Sequence, residues 1–274
     1  MKRTSLRARL LSAPYIVWAA IFIVVPLFIV VYYAFTDRSG VFSLSNITAL
    51  ADYKDTFIIS VWYSVIATVI TLVIAYPFAY ALSRFGANTQ RMMMLLVMLP
   101  MWMNLLIRTY SWMNILERNG IINNVLAGFG IEPLKMIGTP GAVILGMVYN
   151  YLPYMILPIY TVMSKLDITL LEAADDLGAN AFQRLRRLVI PLSMPGVISG
   201  ITMVFVPSVS TFYISQKLGG GKIMLIGDAI ERQIQQQYNY NLGASISLVL
   251  MVMILISMAI MNRFASDDAE RLVV

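Results

Sequence analysis

Long uncharged apolar runs constrain this chain more than any other feature. A helix that crosses the hydrocarbon core of a bilayer needs about 20 mostly apolar residues. Six windows of the 274-residue chain satisfy that length, and all but one, which contains Arg108, lack Asp, Glu, Lys and Arg. These windows are residues 14–36, 57–83, 92–113, 140–163, 194–214 and 243–262. The sequence therefore predicts an all-α integral membrane protein with six transmembrane helices.

The composition excludes several functional classes. Charged residues make up 12% of the chain, about half of the roughly 25% that is typical of soluble domains. The chain contains no Cys and no His, which excludes disulfides, thiolate or imidazole metal sites and catalytic triads built on these residues. The net charge of +6 is interpreted as a signal for membrane orientation rather than for nucleic-acid binding, because the chain is so apolar.

The first apolar window requires a choice between a signal peptide and a retained helix. The apolar core of a secretory signal is about 7–15 residues long. The run at residues 14–36 is longer, and no small-x-small cleavage site follows it. The sequence favours a retained first helix.

The distribution of basic residues predicts the orientation of the chain. If the six windows cross the bilayer in turn, one side holds residues 1–13, 84–91, 164–193 and 263–274, with 12 Lys and Arg residues in total. The other side holds 8. Basic residues concentrate in short cytoplasmic segments, so both termini and the 164–193 loop are predicted to be cytoplasmic.

The cytoplasmic loop contains an amphipathic segment, LEAADDLGANAFQRLRRLVIPLSMPG, at residues 171–196. Thr169 and Glu172 fit a T-x-x-E capping box, which predicts that a helix begins near Thr169. Gly178 is well placed to end this helix as a C-terminal cap. The apolar residues that share one face at helical spacing are Leu170, Ala173, Ala174 and Leu177. This small-residue face beside three acids favours protein docking over an interfacial helix that rests on lipid headgroups.

A second short helix is predicted directly after the glycine. Asn180 is a suitable N-cap for a helix over residues 181–189. Pro191 and Pro195 are expected to end that helix before the next membrane span. The loop is therefore predicted to contain two short helices joined by a glycine turn.

The residue pattern of this loop resembles the EAA loop of membrane permeases in bacterial ABC importers. The chain has Glu172-Ala173-Ala174, then Gly178 at the family's spacing, and then Leu188-Val189-Ile190-Pro191. Leu188 and Ile190 are a mild departure, because the family commonly has Ile and Leu there. The resemblance implies a type I importer permease fold in which residues 1–274 form one transmembrane domain, with the coupling loop between helices 4 and 5.

The resemblance extends beyond this loop. Residues 10–264 are similar to spermidine/putrescine importer permeases of the PotB type. The stretches that carry this similarity are LPMWMNLLIRTY (99–110), TFYISQ (211–216) and KLGGGKIMLIGDAI (217–230). It implies import of polyamines into the cell. The alternatives are an importer permease for a different small solute, or an ion-coupled secondary transporter. The second is disfavoured because the spans contain no acid and the chain has no inverted repeat.

The resemblance also implies partners and a location in the bacterial cytoplasmic membrane. Two cytoplasmic ATPase subunits, a second homologous permease and an extracytoplasmic substrate-binding protein are expected, with the EAA helix seated in a groove of the ATPase. Nucleic acid is not an expected partner. The implied coupling residues are Glu172, Ala173, Ala174, Asp176, Gly178 and Pro191.

The chain is not expected to be an enzyme or to bind a cofactor or metal itself. The nearest phosphate-loop candidate is LGGGKIM (218–224). A Walker A motif needs G-x-x-x-x-G-K-[ST], but the chain has Gln216 at the first glycine position and Ile223 after the lysine. ATP and Mg are therefore expected to be used by the partner ATPase, and the glycines are interpreted as a tight turn in an outer loop.

The cargo surface is less well defined by the sequence. Sites for organic cations use carboxylates and aromatic faces, yet no acid lies inside a predicted span. The main cargo carboxylates are therefore expected on the second permease. For each aromatic residue, membrane-interface placement or helix packing is an alternative role. The candidate path residues are Trp102, Tyr110, Tyr213, Arg108, Glu117 and Asp228. Arg108 is expected to snorkel to the surface or to have a carboxylate or carbonyl partner.

Overall fold

The computed structural model describes residues 14–271, and this range is helical apart from its connections. The only extended pairing within it is a single isolated bridge between Thr36 and Phe42. Eleven helices follow in chain order: α1 Pro14–Ala34, α2 Lys54–Ser83, α3 Ala87–Trp102, α4 Leu105–Leu116, α5 Ile121–Gly128, α6 Pro140–Met163, α7 Ile168–Asp176, α8 Ala181–Val209, α9 Tyr213–Leu218, α10 Ile226–Glu231 and α11 Tyr240–Arg271. The fold is therefore all-α, as predicted.

Three of these helices contain or adjoin a π-helical turn, and α2 has an irregular approach. The π turns are Ala20–Val24 within α1, Leu185–Val189 within α8, and Arg232–Gln236 after α10. A single α-turn at Ser45–Thr48 and a 3₁₀ segment at Ala49–Tyr53 lead into α2.

Within residues 14–271, five helices are long and apolar enough to cross a membrane, and a bent pair provides a sixth crossing if it is counted as one span. Four of the predicted windows, 14–36, 57–83, 140–163 and 243–262, each coincide with most of one long helix. Their lengths follow from uninterrupted apolar residues, since each backbone N–H and C=O must be paired within a helix inside the bilayer.

The predicted span at 92–113 is not one continuous helix. The segment is divided into α3 and the α4–α5 segment, which meet at a bend of 93°. Pro100 lies in the last turn of α3. Asn104 is the N-cap of α4, where its Oδ1 accepts the backbone N–H of Leu106 at 2.7 Å. The proline weakens the helix ladder and the asparagine starts a new one, so the direction of the chain changes here.

The predicted boundary after residue 189 is also wrong. Pro191 and Pro195 do not end a short helix, because α8 continues from Ala181 to Val209. The π turn at Leu185–Val189 immediately precedes Pro191. A π turn changes the local hydrogen-bond register, which accommodates the missing proline donor without ending the helix. The predicted 194–214 span is correspondingly shifted, and Tyr213 begins the separate helix α9.

Contacts divide the described chain into two compact units. The first comprises residues 14–55 and 229–252. In it, the Asn241 side-chain amide donates to the Thr36 carbonyl at 2.7 Å, and the Ser245 hydroxyl donates to the Ala34 carbonyl at 3.0 Å. These side chains satisfy carbonyls at and just beyond the C-terminal end of α1, which no helical N–H can reach.

The second unit comprises residues 56–228 and the rest of α11 from residue 253. Its core is formed largely where α6 packs along α8. A Cβ at Gly196 would lie 2.8 Å from the Pro158 carbonyl oxygen, and one at Gly200 would lie 2.7 Å from the Met155 sulfur. Glycine at these two positions lets the helices approach closely, as small residues do in membrane helix pairs.

Candidate coupling loop and transport path

The first helix of the loop, α7, is capped by Asp167 rather than by Thr169. The Asp167 carboxylate accepts the backbone N–H of Thr169 at 3.0 Å, so α7 begins at Ile168. The prediction of Thr169 as the cap is therefore wrong, because a better acceptor lies two residues earlier in the chain. Hydrogen bonds from the backbone and side chain of Thr169 favour the charged form and hold the pKa of Asp167 below its usual value.

Gly178 ends α7 as the predicted C-terminal cap. Gly178 has a φ of +80°, in the left-handed region that favours glycine. Its N–H donates to the Asp175 carbonyl at 2.9 Å, and the N–H of Ala179 donates to the Ala174 carbonyl at 3.0 Å. This pair of bonds is a Schellman motif, which closes the helix and reverses the chain direction.

The second helix begins as predicted at Asn180. The Asn180 side chain accepts the Gln183 N–H at 2.8 Å, and the Gln183 side chain accepts the Asn180 N–H at 3.0 Å. The two helices are also tied by an ion pair between Arg184 and Asp175. Local caps and one charged contact thus fix the geometry of the whole turn.

Most of α7 is exposed, including the two leucines of its predicted apolar face. Leu170 is 48% exposed and Leu177 is 89% exposed, whereas Leu171 is only 9% exposed. Leu171 packs into the core beside Met163 and Val189. The helical pattern does not predict this anchor, because Leu171 falls outside the face defined by Leu170 and Leu177. One leucine holds the helix to the protein, and its apolar neighbours remain uncovered.

The predicted coupling residues are not all in the same environment. Glu172, Ala173, Asp176 and Gly178 are exposed, and Ala174 is half-buried. These five lie on α7 or in the turn that follows it. The sixth, Pro191, is half-buried inside α8.

Basic side chains from separate segments line a cavity of about 520 Å³. They are Arg118, Lys135 and Lys222, and Glu117 lies beside them. The adjacent ammonium group of Lys222 lowers the pKa of Lys135, with a smaller contribution from the Arg118 charge. No local sequence pattern predicts this basic cluster, because its residues are far apart in the chain.

Two of the predicted path residues come together with a lysine that the sequence analysis missed. The rings of Tyr110, on α4, and Tyr213, on α9, meet edge to face with centroids 6.3 Å apart. The Lys217 ammonium nitrogen lies 5.2 Å from the Tyr110 ring centroid and 5.7 Å from that of Tyr213. Both distances fall in the cation–π range. The spacing of Tyr213 and Lys217, one helical turn apart, is the local signal that could have indicated this contact.

Three other candidates lie apart from this aromatic cluster. Trp102, at the end of α3, is 73% exposed, and no ring contact joins it to the tyrosines among the described residues. Glu117 is exposed at the end of α4 and faces the basic cavity. Asp228 is 6% exposed, and its Oδ2 accepts the backbone N–H of Leu225 at 2.8 Å, which stabilises the start of α10.

The burial of Arg108 contradicts the expected snorkelling, and the expected partner is not found for two of its three side-chain nitrogens. The residue is 8% exposed, so its side chain does not snorkel to the surface of the chain. Its buried Nε and Nη1 atoms have no hydrogen-bond partner within the part of the chain that the structure describes. The expected carboxylate or carbonyl partner is therefore missing at these two atoms. A buried guanidinium with unsatisfied donors is costly.

The fold and loop geometry agree with a comparison to known protein families. The family described as "Binding-protein-dependent transport system inner membrane component" matches residues 75–266, more than half of the chain. The chain belongs to this family. It is a multi-pass permease of the inner membrane, which confirms the family that the EAA pattern indicated.

Named relatives and a solved structure are also similar to this permease. The spermidine/putrescine transport system permease protein PotB of Haemophilus influenzae is 38% identical over 79% of this chain and 79% of its own length. The Escherichia coli protein of the same name is 36% identical over 79% of this chain and 82% of its own.

The solved structure is a bacterial alginate ABC transporter in complex with an alginate pentasaccharide-bound periplasmic protein. It matches with a TM-score of 0.76 at 16% identity, covering 95% of this chain and 93% of that one. The permease therefore has the fold of an ABC importer permease.

Proposed function

We propose that this permease forms half of the path through which an ATP-driven importer carries spermidine and putrescine into the cell. The observation that carries the proposal is the 38% identity to a spermidine/putrescine permease over 79% of both chains. The absence of cysteine and histidine agrees with a transport subunit that performs no catalysis.

The ATPase docks on the loop at residues 164–193, and this loop couples ATP hydrolysis to movement of the membrane helices. The uncovered apolar side chains Leu170 and Leu177, next to exposed acids, suit a protein partner better than water. The Schellman turn at Gly178 holds the two helices at a fixed angle, so a displacement of α7 by the ATPase also moves α8. The coupling residues of the proposal are Glu172, Ala173, Ala174, Asp176, Gly178 and Pro191.

The proposed assembly contains two ATPase subunits, a second homologous permease and an extracytoplasmic binding protein. The periplasmic protein in the alginate transporter structure supports the last of these. ATP and Mg belong to the ATPase subunits, and this chain holds no cofactor. Both termini lie in the cytoplasm, in keeping with the excess of Lys and Arg on that side.

Tyr110 and Tyr213 are the proposed cargo contacts within this chain. Both rings are at least partly accessible, and aromatic rings bind ammonium groups through cation–π contacts. Trp102 and Glu117 are exposed and are available to flank the path. Because Asp228 is engaged at the start of α10, the main cargo carboxylates are expected on the second permease.

One observation favours a second candidate, an importer for an anionic solute. Lys217 places a positive charge beside the aromatic cluster and Arg108 places a second one inside α4, and no ion pair neutralises either among the described side chains. A permanently charged guanidinium and an ammonium would attract a carboxylate-bearing cargo.

The direct test is uptake of radiolabelled spermidine and putrescine by cells that carry only this importer, with its ATPase, second permease and binding protein. Saturable uptake of either polyamine, competed by the other but not by a dicarboxylate, supports the proposal. Saturable uptake of an anionic solute without polyamine uptake supports the second candidate and refutes the first.

A further inference from the structure

Lys217 occupies the place that a cargo ammonium group would take. Its nitrogen lies within 6 Å of both tyrosine ring centroids, 5.2 Å from Tyr110 and 5.7 Å from Tyr213. Neither ring face at this point is free for a second cation, because an ammonium group on the same face must displace the first. The Lys217 ammonium of the chain itself therefore fills the cation position of the aromatic cluster.

The lysine is held there by position rather than by a carboxylate. It lies in the last turn of α9, one turn after Tyr213, so its four-carbon stem reaches back along the helix to both rings. No ion pair joins it to an acid among the described side chains. The side chain is half-buried. The Tyr110 side chain also hydrogen-bonds to the ammonium group. A flexible ammonium held by neutral phenol side chains can leave without breaking a salt bridge.

We propose that Lys217 is a tethered competitor of the cargo, a specificity-determining residue that occupies the Tyr110–Tyr213 faces when no polyamine is present. The inference rests on the proposed polyamine function. A polyamine displaces it because several ammonium groups act together, whereas a monoamine gains only one contact and meets the same repulsion. Lys217 thus selects multiply charged amines over singly charged ones.

The test measures the KM for spermidine uptake in cells that carry the complete importer with Lys217→Met. Removing the competitor is expected to lower KM by about threefold, near the factor for one exposed cation–π contact, with Vmax unchanged. Uptake of a diamine and of a monoamine such as butylamine is measured in parallel, and the monoamine is expected to gain more. Lys217→Arg keeps the cation and is expected to retain the wild-type KM.

Two further variants separate competition from other effects. Lys54→Met removes one positive charge from an exposed site and is expected to leave KM unchanged, which controls for net charge. Tyr110→Leu removes one ring face, so Lys217→Met in that background is expected to lower KM by less than in the wild type. Immunoblots of membrane fractions control for the amount of protein.

The outcomes are distinct. If the wild type transports polyamines but Lys217→Met leaves KM and monoamine uptake unchanged, the inference is wrong and the proposed function stands. If Lys217→Met abolishes uptake while Lys217→Arg retains it, Lys217 contacts an anionic group and the inference is wrong. If the wild type transports no polyamine with all partners present, the proposed function fails and the inference fails with it.

Discussion

The coupling loop and the aromatic cluster are built in opposite ways. The loop is stabilised within residues 167–183, by the Asp167 cap, the Schellman turn at Gly178 and the Asn180 capping box. The cluster is assembled from Tyr110 on one helix and from Tyr213 and Lys217 on another, about 100 residues later in the chain.

Their charge also differs in a way that matches their proposed tasks. The loop exposes acids next to uncovered leucines, as suits a surface that stays docked on another protein. The cluster exposes ring faces and a lysine that is not ion-paired among the described side chains, as suits a surface that exchanges ligands. Because the loop is preorganised, substitutions in it are expected to reduce the uptake rate strongly. Substitutions in the cluster are expected to change the affinity for cargo.

The largest effect is expected from Gly178→Pro. Proline cannot adopt a φ of +80° and has no N–H to donate to the Asp175 carbonyl, so the turn between the loop helices is lost. Uptake is expected to fall more than about tenfold, measured as initial rates of labelled cargo. Gly86→Pro is the matched control, because Gly86 already has a φ of −66° and open space around it. Equal rates for both variants would contradict a rigid coupling turn.

Glu172→Lys is expected to have the next largest effect. The side chain is exposed and makes no ion pair with another described residue, so the reversal should leave the fold intact and act on a partner. Cargo-stimulated ATPase activity of the assembled complex is expected to fall about fivefold to tenfold, as for a broken interfacial charge contact. Glu132→Lys reverses another exposed acid and is expected to retain activity. Loss of activity in both variants alike would indicate a general charge effect.

Arg108→Met tests the stability of α4, the helix that carries Tyr110 of the cluster. The methionine removes a buried guanidinium whose Nε and Nη1 lack partners among the described residues, and replacing such a group by an apolar one is often neutral or stabilising. The melting temperature of the purified complex is expected to stay constant or rise by about 1–3 °C. Arg118→Met, at an exposed position, serves as the comparison. A drop of several degrees in Arg108→Met alone would show that another subunit pairs with Arg108.

The smallest effect is expected from Asp167→Asn and from pH. The folded-state pKa of Asp167 is lowered, so its contribution to stability is present above the ordinary aspartate pKa and is lost only as the pH falls through the lower folded value. Uptake of the variant relative to wild type is therefore expected to be constant between about pH 5 and 8 and within about twofold, because Asn also caps helices. A ratio that changes steadily across that range would show that the Asp167 charge has another role.

Local patterns predicted the parts of the fold that depend on local physics. Uncharged runs located the long helices, and Gly178 and Asn180 were identified as caps because the hydrogen bonds of a cap lie within a few residues. The errors occurred where two local signals competed: Asp167 against Thr169 as the cap, and the π turn before Pro191 against the proline itself. Pro100 and Asn104 also indicate the helix break after Trp102. The continuous apolar run nevertheless favoured a single span over residues 92–113.

Tyr110 and Tyr213 were candidates from the sequence, but their contact could not be predicted because it depends on tertiary packing. Nothing in the local sequence brings Tyr110 to Tyr213 or Lys135 to Lys222. The burial of Leu171, on which the exposure of its neighbours depends, likewise follows from where α7 packs against the core.

The most direct test of the coupling surface uses the absence of native cysteine. Leu177→Cys places one thiol at a side chain that is 89% exposed, and Phe129→Cys places one at a side chain that is 79% exposed, outside the loop. A short thiol-to-amine crosslinker is applied to inverted membrane vesicles that contain the complete importer. We expect the Leu177→Cys variant to be joined to the ATPase subunit and the Phe129→Cys variant not to be. Crosslinking of Phe129→Cys but not of Leu177→Cys to the ATPase would contradict a coupling surface on α7.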